Sequence, residues 1–299
     1  LKDIKYIKVK FHLKVCEDSI LSKDKNMMFT GAILNELLKL YCISESCEEC
    51  TIKNSCIIQK LLSNKYKKKV PLVKQNENIS PLFLLHCCDT KTNFKEEDVL
   101  KVEITLIKEA VEFLSQFIYI MDMLGIKGVG INKVKYHLIK VTNFKRECIF
   151  ENGVFYDNNI ILQSSNEYIK IRKNKEEKLN KIVLNRFLPY KLQQSIYKSE
   201  IGNIIYSLEK RLKILNILEE DKELVCKKRK VKRFNFNLNR RKYNLEKEKT
   251  YINLTSFYGE IVFINIDEKL IDCFLCGENF NIGKNLLLGY GEYKMEEVR

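Results

Sequence analysis

The stretch Lys5-Tyr6-Ile7-Lys8-Val9-Lys10-Phe11-His12-Leu13-Lys14-Val15 decides the fold. Ile7, Val9, Phe11, Leu13 and Val15 fall on one face and Lys8, Lys10, His12 and Lys14 on the other. Alternation of period two marks a strand with one buried and one wet face. A helix is expected from about Thr30, a suitable N-cap, with Ile33, Leu34, Leu37, Leu38 and Tyr41 as its apolar stripe. A cysteine-bearing loop and the basic run Lys65-Tyr66-Lys67-Lys68-Lys69 follow. Leu82 to His86 and Val99 to Ile104 read as strands. Leu106, Ala110, Phe113, Phe117, Met121 and Leu124 recur at helical spacing up to Gly125, Gly128 and Gly130, before a last strand from Lys133 to Leu138. The order βαββαβ is that of a ferredoxin-like unit.

The second half repeats the pattern. Ile182 to Leu188 reads as a strand, and Ile201, Ile204, Ile205, Leu208, Leu212 and Leu215 line a helix. Lys249 to Leu254 and Glu260 to Ile264 read as a strand pair around Tyr258-Gly259. A short helix over 267–276, a glycine-rich loop and a strand from Glu292 to Val298 close the chain. Both halves end as helix, glycine loop and strand, the mark of a diverged duplication. The expectation is an α+β protein with two ferredoxin-like domains, 1–143 and 179–299, joined by a variable linker or insertion at 144–178.

The chain has 299 residues, 53 Lys+Arg against 39 Asp+Glu, and a formal charge of +14. That length suits two domains with cores of their own. A charge so positive predicts an anionic partner, nucleic acid before membrane. No apolar run reaches the about 18 residues of a membrane helix, and no cationic start leads into an apolar block. A cytoplasmic location is expected. In such a compartment the 11 cysteines suit metal binding or core packing better than disulfides.

Within Phe280 to Tyr293, Gly283, Gly289 and Gly291 let a backbone approach a ligand and offer N–H groups to phosphate, with Lys284 adding a cation. The same glycines suit an ordinary loop of positive φ. Between Lys227 and Lys242 stand nine Lys/Arg, Lys228, Arg229, Arg233, Arg240 and Arg241 among them, with Phe234, Phe236 and Tyr243 interleaved. Cations hold phosphates and aromatic faces stack on unpaired bases. The alternating Phe234, Phe236 and Leu238 equally suit a strand with a buried face. Cys42, Cys47, Cys50 and Cys56 place four thiols within fifteen residues. They suit a structural zinc site, with an iron–sulfur cluster second and a metal-free reduced loop as the plain alternative. Cys273 and Cys276 read as core. His86 reads as lying in or beside the core.

The glycine-rich end resembles that of RAMP-superfamily proteins, and more specifically the CRISPR repeat-processing endoribonucleases. Phe29-Thr30-Gly31-Ala32-Ile33-Leu34 is similar to that family's first-helix start. Cys47-Glu48-Glu49-Cys50 with Cys56 is similar to a cysteine cluster of one branch. The helix into Gly125, Gly128 and Gly130, and Tyr258-Gly259-Glu260-Ile261, continue the likeness in order. The resemblance implies two ferredoxin-like RAMP domains forming a cleft. It implies metal-independent cleavage of CRISPR precursor RNA by attack of a 2′-OH, leaving a 2′,3′-cyclic phosphate and a 5′-OH. It also implies possible partnership with CRISPR effector subunits. Such chemistry needs a base, an acid and cations.

Many members place a catalytic histidine in or near the first helix; here 17–41 holds none. By location the resemblance points to Lys25, Lys39 and Tyr41. The strand argument adds His12 and His137: strands one and four are neighbours, and both histidines share the lysine-bearing face. A non-catalytic RAMP subunit that holds guide RNA is the competing reading, and the absent helix histidine favours it.

Overall fold

The computed structural model describes residues 1–62, 67, 80–176, 178–188, 200–224, 231–245 and 250–298. In chain order the elements are β1 (Lys5–Val15), β2 (Ser19–Ile20), α1 (Lys25–Tyr41), α2 (Ile57–Leu62), β3 (Phe83–His86), β4 (Asn93–Phe94), β5 (Val99–Ile107), α3 (Leu114–Lys127) and β6 (Tyr136–Thr142). There follow β7 (Cys148–Glu151), β8 (Val154–Phe155), β9 (Gln163–Ser164) and α4 (Ser165–Lys175). The rest is β10 (Leu179–Phe187), α5 (Glu200–Ile214), β11 (Val231–Leu245), β12 (Thr250–Phe263), α6 (Glu268–Gly277) and β13 (Glu292–Glu297).

The first sheet runs β3-β5-β1-β6-β7-β8, with β9 pairing the start of β1, and every pairing is antiparallel. The second runs β11-β12-β10-β13, again antiparallel. In both, the first strand of the βαββαβ order lies between the third and the fourth. The repeat read from hydropathy is thus a repeat of topology.

One apolar cluster joins Ile7, Val9, Phe11, Leu13 and Val15 of β1 to Phe29, Ile33 and Leu37 of α1 and Phe117, Met121 and Leu124 of α3. The other joins β10 and β12 to Leu208 and Leu212 of α5 and to α6, with Cys273 and Cys276 buried in it. The two sheets meet at a joint. Tyr6, Leu84 and Ile107 of the first sheet belong to the second cluster, and the Tyr6 ring stands edge-on to Phe280 at 5.4 Å. Arg211 of α5 clamps this joint. It is fully buried, donates through Nε to Phe280 O (3.0 Å) and through Nη2 to Pro81 O (2.8 Å), and binds Ser80 Oγ through Nη1.

Three expectations change. Helix α1 begins at Lys25, behind Asp24; the Thr30 hydroxyl caps nothing and donates to Leu287 O across the joint (2.7 Å). Tyr258-Gly259 is no turn: β12 runs straight through it. Gly259 lies against β11, where a Cβ would meet Asn235 O at 2.0 Å, and that contact explains the glycine. The stretch 144–178 supplies β7, β8 and β9 to the first sheet, and α4, whose Arg172 pairs with Glu278 at 2.5 Å.

Candidate nucleic-acid interface

The helices cover the apolar side of the first sheet and leave its other side open over much of its length. Cross-strand register then composes that face. His12 of β1 lies between Lys101 of β5 and Lys140 of β6; Lys14 lies opposite His137, and Lys10 opposite Glu103 and Thr142. Four lysines and two histidines therefore share neighbouring rows; a bulge in β6 beside His12 brings Lys140, of opposite parity to His137, onto this face. Lys10 Nζ reaches Glu103 at 3.8 Å and Lys14 Nζ reaches Glu97 at 2.9 Å. His137 is exposed. His12 is half-buried, with Nε2 3.2 Å from Thr142 Oγ1. Burial, then Lys101, Lys140 and Lys10, pull its pKa below the usual histidine value, so the ring stays neutral.

The residues indicated on the first helix lie elsewhere. Lys25 is buried; Nζ donates to Asp89 O (3.0 Å) and Lys91 O (2.6 Å) and stands over the Phe94 ring. Burial lowers its pKa. Its ammonium serves to fold the 89–91 loop. Lys39 Nζ binds Glu36 Oε1 at 2.8 Å, and Lys127 holds the other carboxylate oxygen. Glu36 is buried, which alone would raise its pKa, but the two ammonium groups bring it below the usual carboxylate range. Tyr41 sits at the far end of α1, which is about 25 Å long.

There Leu38, Tyr41, Cys42, Cys47, Cys50 and Cys56 line one pocket. The spacing thus does bring four thiols around a common space. Cys42 Sγ nonetheless donates to Ser44 O (3.3 Å), and among the described residues no three His, Cys, Asp or Glu side chains are gathered closely enough for a metal ion. In this arrangement the thiols do not fit zinc.

The glycine-rich loop is a packing device. Gly283, Gly289 and Gly291 have φ of 92°, 78° and 84°, where side chains are disfavoured. A Cβ would meet Leu188 O at 2.4 Å, Asn26 Nδ2 at 2.0 Å and Ile282 O at 2.0 Å respectively. Gly289 N–H donates to Leu286 O, Gly291 N–H to Arg186 O and Lys284 N–H to Leu188 O. These N–H groups are occupied within the fold, and the three glycines are buried. Lys284 is half-buried. The N–H groups named here are therefore not offered to a phosphate; close approach of Leu188, of Asn26 on α1 and of Ile282 accounts for the three glycines.

Val231–Leu245 of the basic tract forms β11, and after a shift beside Val231 its register with β12 holds from Arg233↔Val262 to Leu245↔Thr250. Because β10 pairs β12 only between Phe257 and Val262, the hairpin beyond Asn239 projects as a two-stranded ribbon. Arg240 is exposed on it, and Leu238 is half exposed. Lys228 and Arg229 lie outside the described residues. Arg233 and Arg241 belong to β11 by backbone, with their side chains outside the description. On the return strand Ile252 and Leu254 pack on Leu188, Leu288 and Tyr290, so the ribbon leans on the glycine-rich loop.

Sequence reasoning missed His86. The ring is not core but one-third exposed at the end of β3, opposite Glu103 of β5. Nδ1 lies 3.5 Å from Glu292 Oε2 of β13, and Nε2 lies 2.7 Å from Cys88 Sγ. The apolar Leu84-Leu85 before it hid the fact that parity puts it on the open face with Lys10.

A family model described as AF_1859_N, N-terminal domain, matches residues 4–166. The chain belongs to that family. The match spans the first sheet, β9 and the first residues of α4, and so the whole lysine-bearing face. No curated protein matches the sequence. The fold is similar to the chain of a Cas6 product complex, 14% identical, with a TM-score of 0.51 over 97% of this chain and 99% of that one. It is also similar to a chain of a partial Cas6-RT-Cas1–Cas2 complex, 10% identical, with a TM-score of 0.53 over 99% of this chain. This chain spans 46% of that one, and 29% of its counterpart in the Cas6-RT-Cas1–Cas2 complex. The α+β architecture with antiparallel sheets is thus that of a full-length Cas6 chain. Among the described residues no helix is long and apolar enough to cross a membrane.

Proposed function

We propose that the chain is an endoribonuclease that binds CRISPR precursor RNA and cuts within the repeat without a catalytic metal. The observation that carries the reading is the open face: Lys10, Lys14, Lys101, Lys140, His12 and His137 in adjacent cross-strand positions, on a fold shared end to end with a Cas6 chain. In this reading each sheet belongs to one ferredoxin-like RAMP domain, and the joint between them is the floor of a cleft. RNA lies across the lysines, and the β11–β12 ribbon, with Arg240, holds the repeat's backbone. The 2′-OH before the cut attacks its own phosphate and the 5′-oxygen leaves, giving a 2′,3′-cyclic phosphate and a 5′-OH. Lys25 is placed outside this site. The cysteine pocket lies at the opposite end of α1 from the joint, so a metal held there would staple the loop and take no part in the cut.

The test is a labelled repeat RNA from the host array, incubated with the chain in excess EDTA, beside the same RNA carrying 2′-deoxy at the nucleotide before the cut. A single cut that survives EDTA and disappears with the 2′-deoxy substrate is expected. Tight binding with no cut in either substrate would replace the reading by a non-catalytic RAMP subunit that holds guide RNA.

A further inference from the structure

His86 lies where three parts of the molecule converge. Its strand, β3, edges the first sheet. The next residue, Cys87, donates its N–H to Asn26 Oδ1 in the first turn of α1 (2.7 Å), and Asn26 packs against Gly289 of the buried loop. Glu292, 206 positions later in the chain, opens the last strand of the second sheet and brings its carboxylate to His86 Nδ1. Asn185 Nδ2 donates to the same Glu292 oxygen (3.2 Å) and fixes it from behind. A carboxylate oriented by an amide, orienting in turn an imidazole, is the arrangement that sets one histidine nitrogen for proton transfer.

The second nitrogen completes the picture. Cys88 is exposed and faces Nε2. Burial of its sulfur, then the Glu292 and Glu103 carboxylates, push the thiol pKa up. Nδ1 faces the Glu292 carboxylate and Nε2 the Cys88 sulfur, so in the tautomer with its proton on Nδ1 the Nε2 lone pair points toward Cys88. Lys8 stands among Glu103, Lys294 and Glu292, and burial lowers its pKa. His12 lacks such an arrangement: its Nε2 meets the Thr142 hydroxyl and its cross-strand neighbours are lysines. Two strands and one row separate the backbones of His12 and His86, about 12 Å.

We propose that His86, oriented by Glu292, is the residue that takes the proton of the attacking ribose 2′-OH. The proposal rests on the endoribonuclease reading above. Nε2 accepts the 2′-hydroxyl proton as the 2′-oxygen displaces the Cys88 thiol from it. The 2′-oxygen bonds to phosphorus, and the bond from phosphorus to the 5′-oxygen breaks. A water molecule gives the leaving 5′-oxygen its proton, and the hydroxide so formed takes the proton held by the imidazolium. The balance needs no metal and no redox partner. His86 is the catalytic residue, Glu292 the positioning residue.

The experiment is single-turnover cleavage of the host's labelled repeat RNA in excess EDTA, with the Kd for the 2′-deoxy RNA measured on each variant. His86→Ala is expected to slow cleavage about 100-fold or more, the range of a lost general base, with Kd within about twofold. Added imidazole should restore part of the rate in a dose-dependent way. Glu292→Gln should lower the rate about tenfold and leave Kd unchanged. Should His86→Ala fail to fold, His86→Gln carries the same comparison. Cleavage by both wild type and His86→Ala at rates within about threefold would overturn the assignment and leave the endoribonuclease reading standing. A rate loss matched by an equal loss of binding, with no imidazole rescue, would make His86 a tie between the sheets and overturn it too. No cleavage by the wild-type chain would overturn the endoribonuclease reading and, with it, this assignment.

Discussion

Between α3 and β6 the chain turns through Gly128 and Gly130; between α6 and β13 it passes Gly283, Gly289 and Gly291. The two connections hold the same place in the repeat and have opposite surroundings. In the first half the turn is closed by a single bridge, Val129 to Val134, and Ile131 at its tip is 90% exposed. In the second half Leu286, Leu287, Leu288 and Tyr290 are buried, and Leu287 belongs to the core of the first half. One loop is a surface turn, and the other is the mortar between two units. The same division runs through the sheets. The first half leaves a row of lysines and histidines on its open face, while Tyr6, Leu84 and Ile107 at one end of that sheet are given over to the joint. A duplicated scaffold has kept its strand order and reassigned its surfaces.

Arg211 offers the sharpest way to break that contrast. Arg211→Ala removes a buried donor from Phe280 O, Pro81 O and Ser80 Oγ at once. A loss of about 3–5 kcal/mol in urea unfolding is expected, because buried polar groups lose their partner together. A loss below about 1 kcal/mol would mean that the joint adds little to the fold.

The two glycine turns give the next comparison. Gly291→Ala is expected to cost about 3 kcal/mol, from positive φ plus overlap with the Ile282 carbonyl, which cannot step aside. Gly130→Ala pays the backbone strain but meets only the sulfur of Met28, a side chain that can turn away; about 1 kcal/mol is expected. Equal costs, read from the same denaturation series, would dissolve the distinction between mortar and surface turn.

The open face should respond in binding and not in stability. Lys101→Ala with Lys140→Ala removes two cations beside His12. RNA affinity should weaken about tenfold at moderate salt, and the slope of log K against log salt should fall by about 1.4. A slope that stays put would move the phosphate path off this sheet.

The smallest effect expected is at the start of β1. Asp3 accepts hydrogen bonds from Asn166 N–H and from the Ser164 and Ser165 hydroxyls, at the β9–α4 junction. Partial burial acts to raise its pKa, but these bonds and Lys5 win and bring it from 3.8 to about 2. A depressed carboxylate stabilises the folded state above its unfolded pKa, so this contribution is present above pH 3.8 and fades as pH falls toward 2. Asp3→Asn should flatten the acid limb of a thermal-stability profile in that window and leave it unchanged at pH 7.

Strand β1 was legible to the residue, because its alternation is unbroken from Ile7 to Val15. Cys273 and Cys276 were legible as core from their place in a helix with no second pair, and the sharing of one lysine-bearing face by His12 and His137 followed from parity and topology; Lys140 joins it only through the bulge in β6. What sequence did not disclose depends on contacts between distant parts. The ammonium of Lys25 is spent on two carbonyls more than sixty residues away, and no local pattern announces that. Glycines read as a phosphate cradle are fixed by Leu188 and Ile282 across the loop and by Asn26 of the first half, contacts that no local pattern announces. His86 was hidden by its apolar neighbours, and its partner Glu292 lies on the other sheet. The long β12 was split in two by Gly259, since a glycine inside a strand and one in a turn look alike until the neighbouring strand is in place.

The account separates a basic face that holds RNA from a joint that cuts it. Its most direct test measures cleavage rate and Kd on the same repeat RNA for His86→Ala and for the Lys101→Ala, Lys140→Ala double variant. The account predicts that the first loses rate and keeps affinity, while the second loses affinity and, at saturating protein, keeps its rate. Rate and affinity falling together in both variants would contradict it.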